Sequence, residues 1–224
     1  MALGLLAGCA TPFQVTVSSF SRPEATQYRS FFIFPAEQGI TLSDFQFQEA
    51  RGYLVKALVS RGYREAKSLL DSEIVIFLQY AIGDPQRYSR SYSIPIIGQT
   101  GGGTSYVNAT SYGTYGINTV SGTVTQTPTY GVTGYNSGTV NHTIYGRWMR
   151  IEAIDYAEFV KTQSVKSLWE TKITSVGSSG DLRRVLPIMV AAAEPHFGGN
   201  TGKAVEIVLR ENDERVEKLR SRPL

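Results

Sequence analysis

Cysteine, histidine and tryptophan are almost missing from this chain of 224 residues, with one, two and two copies respectively. A single thiol cannot form an intrachain disulfide, so a hydrophobic core alone must hold the domain. His142 and His196 stand far apart with no cysteine cluster near them, which excludes the usual zinc-ligand spacings, and no motif calls for a cofactor. No run of about 18 uncharged apolar residues occurs, so no transmembrane helix is expected. The formal charge of +3 is small and its basic residues are interspersed with acidic ones, which excludes a nucleic-acid footprint.

The largest absence is local. From Ser91 to Gly146, 56 residues pass without one Asp, Glu, Lys or Arg, and half of the chain's 22 glycines lie there. Gly, Thr, Ser, Asn and Tyr fill the stretch. Its Ser-Tyr-Gly and Thr-Tyr-Gly triplets recur at irregular spacing, which marks biased composition and not a repeat array. Too few branched apolar residues are present to offset the entropy of ordering a core, whereas Thr and Tyr favour extended backbone. The stretch is expected to be a flexible, hairpin-like insertion whose Tyr112, Tyr115, Tyr130 and Tyr135 offer a partner surface, since tyrosine gives large contact area at low entropic cost.

Either side of it the pattern is that of one folded domain, for which 42% apolar residues suffice. Phe13–Val17 and Tyr28–Phe34 read as opening strands. Ser43-Asp44-Phe45-Gln46 reads as a capping box, and Phe47, Ala50, Leu54, Ala57 and Leu58 share one helical face up to a stop at Gly62. Ile74–Leu78 is apolar on both faces and suits an interior strand. Met149, Ile151 and Ala153 alternate with Arg150 and Glu152, and Trp169, Thr171 and Ile173 repeat the pattern. Leu182 to Ala193 has helical spacing around Pro187, which should bend the helix or mark its start. Val205, Ile207 and Leu209 close the sheet. The expected fold is α+β, a two-layer sandwich of a mainly antiparallel sheet with two helices plus the extended insertion. The expected segments are 1–9, 10–97, 98–141 for the insertion, 142–210, and a charged tail at 211–224.

Catalytic patterns fail in detail. Gly177-Ser178-Ser179-Gly180 lacks the spacing of a nucleophile elbow and suits a helix cap better. In Gly198-Gly199-Asn200-Thr201-Gly202-Lys203 the motif's first glycine position is taken by Phe197, Ala204 replaces the hydroxyl residue, and a strand follows, so a turn accounts for it better than a phosphate loop. Glu152 with Asp155 would need a cleft to act as an acid–base pair. Trp148, Trp169, Tyr145 and Tyr156 could form a platform for sugar rings, but their alternating strands favour core packing. No catalytic residue is assigned.

Leu6-Ala7-Gly8-Cys9 ends a short apolar run and carries the small residues and the thiol that lipoprotein processing requires. Eight residues precede Cys9, and none is basic. Together with Leu58-Val59-Ser60-Arg61-Gly62-Tyr63, Asp71 with its apolar strand, and Ser167-Leu168-Trp169-Glu170, this tetrapeptide resembles the bacterial envelope lipoproteins grouped as a domain-of-unknown-function family, number four-one-three-six. The resemblance implies an α+β domain on the periplasmic side of a membrane, held by acylated Cys9, with no established chemistry. Ala10 after the cysteine resembles lipoproteins sent to the outer membrane. The expected function is a non-enzymatic binding or structural module of the envelope, meeting an envelope protein, a polysaccharide, or another copy of itself through the insertion. The alternative is a small hydrolase or glycan-modifying enzyme.

Overall fold

The computed structural model describes residues 12–221. Eight strands run in the order β1 (Phe13–Ser21), β2 (Ser30–Pro35), β3 (Arg64–Glu65), β4 (Ile74–Ile82), β5 (Gln86–Gly113), β6 (Gly116–Asp155), β7 (Ser167–Gly177) and β8 (Val205–Leu209). The helices are α1 (Phe45–Ser60), α2 (Tyr156–Thr162), α3 (Leu182–Ala193) and α4 (Glu214–Arg220). Two compact units result, one of them Arg87–His142.

The larger unit is built on a sheet ordered β3-β2-β4-β6-β7-β1-β8. Its character is mixed: β2 runs parallel to β3 and β4, and the remaining pairs on this path are antiparallel. The parallel pairs follow from α1, which carries the chain over between β2 and β3 as any parallel connection requires. Alternation then divides the faces. Ile76, Ala153 and Trp169 lie in register across three strands, as do Met149 with Ile173 and Ile151 with Thr171, and all are buried. Against this face pack α1 and α3, through Phe47, Ala50, Leu54 and Leu58 of the first and Val185, Ile188, Met189 and Ala192 of the second. Each fully buried Leu, Ile or Phe contributes roughly 1.5–3 kcal/mol.

Among the described residues four α-helices replace the two expected. Helix α2 is only seven residues long, too short to show a helical period, and is started by the Asp155 side chain, which accepts from the amide of Glu158 at 3.0 Å. Helix α4 lies within the charged tail, where Val216 and Leu219 are buried between flanking charges. The cap of α1 is Asp44, not Ser43: its Oδ1 accepts from the Phe47 amide at 2.9 Å, while the Ser43 hydroxyl meets Thr41. Asp181 likewise caps α3, so Pro187 sits inside that helix and does not begin it.

The glycine turn after α3 is tied to the sheet by a buried serine. Ser19 Oγ lies 2.8 Å from Thr171 Oγ1 and within reach of the carbonyls of Glu170 (3.2 Å), His196 (3.0 Å) and Gly199 (3.0 Å). Thr201 closes the cluster, accepting from the Ser19 amide at 3.0 Å while its own amide donates to the Ser19 carbonyl at 2.9 Å. The Gly198–Lys203 segment is therefore a structural turn over β1. Ser19→Ala, which leaves these buried acceptors short of a donor, should lower the unfolding free energy by about 1–3 kcal/mol in urea titration.

Asp155 also accepts from the Tyr28 hydroxyl at 2.7 Å, joining β6 to the segment before β2. Burial raises the Asp155 carboxyl, but the Glu158 amide, Tyr28 and Lys166 outweigh it and hold the pKa below its ordinary value. The same bond and burial push the Tyr28 phenol up to about 12. The carboxylate's contribution is present above its unfolded pKa and is lost as pH falls through the lower folded one. The phenol's contribution is complete below its unfolded pKa of about 10 and is lost as pH rises toward 12. Thermal melts should thus fall at both extremes, and Tyr28→Phe should remove the alkaline part of the loss.

Candidate functional site

The uncharged stretch folds into one antiparallel ribbon made by β5 and the first part of β6. Gly113 and Gly116 flank a two-residue turn at Thr114-Tyr115, and Gly116 has φ +125°, a backbone conformation that side chains other than glycine rarely adopt. Ser89 donates to Asn141 at 2.7 Å, Ser91 lies 3.4 Å from Thr139 and Ser93 lies 3.1 Å from Ser137, so one face near the open end is a ladder of hydroxyl and amide side chains. Toward the turn, Thr104 meets Thr125 at 3.4 Å on the same side of β6.

Period two sorts β6 completely. Odd positions from 119 to 139 carry Thr119, Ser121, Thr123, Thr125, Thr127, Thr129, Thr133, Ser137 and Thr139, broken only by Gly131 and Tyr135. Even positions carry Val120, Val124, Tyr130, Val132 and Val140, spaced by small or amide residues and Pro128. Strand β5 follows suit after a slip of register. Ile96 comes opposite Gly134 on the even face, but a Cβ on Gly98 would meet the Thr133 side chain at 2.9 Å on the odd one. Tyr92 lies flat across Gly138, where a Cβ would come within 2.6 Å of its hydroxyl oxygen. Tyr88 stacks on His142 at 5.1 Å.

The tyrosines expected to form a partner surface are all exposed: Tyr112 by 78%, Tyr115 fully, Tyr130 by 71% and Tyr135 by 66%. They are not gathered together. Tyr115 is in the turn, and Tyr130 and Tyr135, five apart in one strand, point to opposite faces. The division into a hydroxyl face and a valine and isoleucine face was the stronger signal, and it was legible as alternation in β6. Cys9, with Leu6, Ala7 and Gly8, lies outside the described residues.

Elsewhere the candidate chemistry dissolves into structure. Trp169 is buried, 6.4 Å from Tyr63 and 6.3 Å from Phe197, whereas Trp148 is on the opposite face of the sheet and partly exposed, so no aromatic platform forms. Glu152 pairs with Arg150 at 2.8 Å, while Asp155 is committed to Tyr28 and α2. Among the described residues no three His, Cys, Asp or Glu come together to hold a metal ion.

Arg147 was not foreseen. It is 2% exposed, donates through Nε and Nη2 to the Ser179 carbonyl at 3.0 and 2.7 Å, and packs 5.7 Å from the Phe13 ring. Burial, and then the charge of Arg184, lower its pKa. The guanidinium pins the turn before α3 to β6, and Gly177 leaves it room, since a Cβ there would meet Nη2 at 3.0 Å.

The fold so defined is a mixed α and β domain on one large sheet, with a ribbon that is uncharged from Ser91 onward. No protein-family model and no curated protein matches the chain. Among solved structures, a PDZ domain protein from Parabacteroides distasonis is similar at a TM-score of 0.38 and 10% identity, over 90% of this chain. The match spans 40% of that protein's length, and at that score it carries no argument.

Arg147→Ala, which strands the Ser179 carbonyl, should cost about 1–3 kcal/mol in urea unfolding. Joint replacement of Tyr112, Tyr115, Tyr130 and Tyr135 by serine should leave that transition within about 0.5 kcal/mol.

Proposed function

We propose that this protein is a non-enzymatic, lipid-anchored module of a bacterial envelope, an α+β domain that works through its ribbon by pairing with ribbons of other copies. The ribbon carries the reading. An isolated two-stranded hairpin is marginally stable in water at best, yet this one extends over the 28 residues of β5 with both outer edges unpaired among the described residues. Natural edge strands block pairing with charged side chains, above all lysine. Between Ser91 and Gly146 none is present. Partner recognition by strand addition uses the main chain and tolerates uncharged, weakly distinctive side chains of this kind.

The address rests on Leu6-Ala7-Gly8-Cys9. A diacylglycerol on Cys9, with a further acyl chain, would give stable anchoring, because a single chain binds a membrane only reversibly. Ala10 favours the outer membrane. The larger unit then acts as a mount for the ribbon, and an envelope protein or polysaccharide would meet the assembled ribbons.

The test uses protein extracted from the membrane fraction of a bacterial host. The intact chain should sediment as an oligomer. Replacing Arg87–His142 by an Asn-Gly turn, which joins Gln86 to Thr143 with hairpin geometry, should give a folded monomer that stays in the membrane. Cys9→Ser should release the ribbon-less form from the membrane. An intact chain that is monomeric at the highest attainable concentration overturns the pairing, and membrane retention of Cys9→Ser in the ribbon-less form overturns the anchor.

A further inference from the structure

We infer that the paired ribbons form a transmembrane β-barrel shared among copies, with the hydroxyl face lining a water-filled lumen and the valine and isoleucine face turned to the acyl chains. This rests on the pairing proposed above and adds where it happens. Ile94, Ile96, Val124, Val132 and Val140 are between 44% and 57% exposed, a repeated apolar face with no core beneath it. Directly behind it runs the threonine and serine ladder of β6. Apolar residues alternating with uncharged polar ones over extended strands are the pattern of barrels that have lipid outside and water inside.

Length agrees. Crossing a bilayer takes about 9–11 residues per tilted strand, so the 28 residues of β5 exceed the need. Tyr92 and Tyr130 stand at the two ends of the stretch of apolar face that holds Ile94, Ile96 and Val132. From Tyr130 to Gly138, across which Tyr92 lies, is eight residues of strand. That is roughly 27 Å along the strand, which at the usual tilt of about 40° rises roughly 20 Å and so lies within the roughly 25 Å apolar band of such barrels. Arg87 and Arg90 lie beyond Tyr92 at the open end, outside this stretch.

Closure is compulsory for the same reason. A lone ribbon would carry two rows of unpaired amides and carbonyls into hydrocarbon, which only helices and closed barrels avoid. No helix among the described residues is long and apolar enough to cross a membrane. A water-filled lumen takes roughly 16–18 strands, hence about eight or nine copies at two strands each.

Val132 and Thr133 are neighbours on opposite faces of one strand, and both belong to the ribbon, so charges there leave the larger unit folded. The intact chain should raise stepwise conductance in a planar bilayer of phosphatidylethanolamine and phosphatidylglycerol. Thr133→Asp should keep the conductance and shift its preference toward cations several-fold. Val132→Asp should lose conductance at least tenfold. Oligomers of the intact chain that leave the bilayer silent overturn the barrel while sparing the pairing. Equal behaviour of the two variants also overturns it, as does growth of the intact chain into open fibres. A chain that stays monomeric in detergent overturns both readings.

Discussion

Backbone hydrogen bonding along the outer edges of the ribbon is the constraint on which the rest of the molecule turns. In a two-stranded ribbon every second amide and carbonyl of each strand points away from its partner, and water or another strand must satisfy it. Within the larger unit this demand is met by the order of the sheet, in which β6 has β4 on one side and β7 on the other. In Arg87–His142 each strand has one partner among the described residues, and from Ser91 onward no side-chain charge deters a second. The same strand β6 thus satisfies its backbone in full where Arg147–Asp155 lies in the sheet and by half where it belongs to the ribbon.

Side-chain chemistry follows the same division. In the sheet, Met149, Ile151 and Ala153 face a helical layer while Arg150 and Glu152 stay wet, and Arg150 exchanges ion pairs with Glu152 and Glu170. Such exposed pairs contribute little to stability, so the burial on the other face decides the fold. In the ribbon the alternation persists with its phase reversed: threonine and serine take the odd positions that are apolar in the sheet, valine takes even ones like those charged there, and the apolar side stays exposed. An uncharged hydroxyl face can be buried against water-filled space or against like residues with its hydrogen bonds kept, whereas a charged one would resist close association of copies.

Much of the fold was legible because long elements carry many periods. The interior strand at Ile74–Leu78, the alternating strands around Ile151 and Thr171, and the helices holding Leu54 and Met189 all followed from spacing. Short or tertiary features did not. Helix α2 shows barely two turns, and α4 hides Val216 and Leu219 among charges. The parallel run of β2 beside β4 depends on where α1 returns the chain, which spacing does not encode. The shift of the α1 cap from Ser43 to Asp44 is a choice between two competent oxygens. Arg147 looked like an ordinary basic residue, and only the register opposite Ser175 turns it inward. For the candidate surface, composition marks the segment as extended, and the two-faced alternation of β6, not any single tyrosine, organises it.

Hydrogen exchange along the ribbon, measured residue by residue on the full chain in its native membrane, addresses the central claim that its edges are paired between copies. Pairing predicts slow exchange at consecutive amides from Thr104 to Gly113 and from Gly116 to Thr127. A period-two pattern, with every second amide exchanging at the rate of free peptide, would mean that the edges face water and would contradict it.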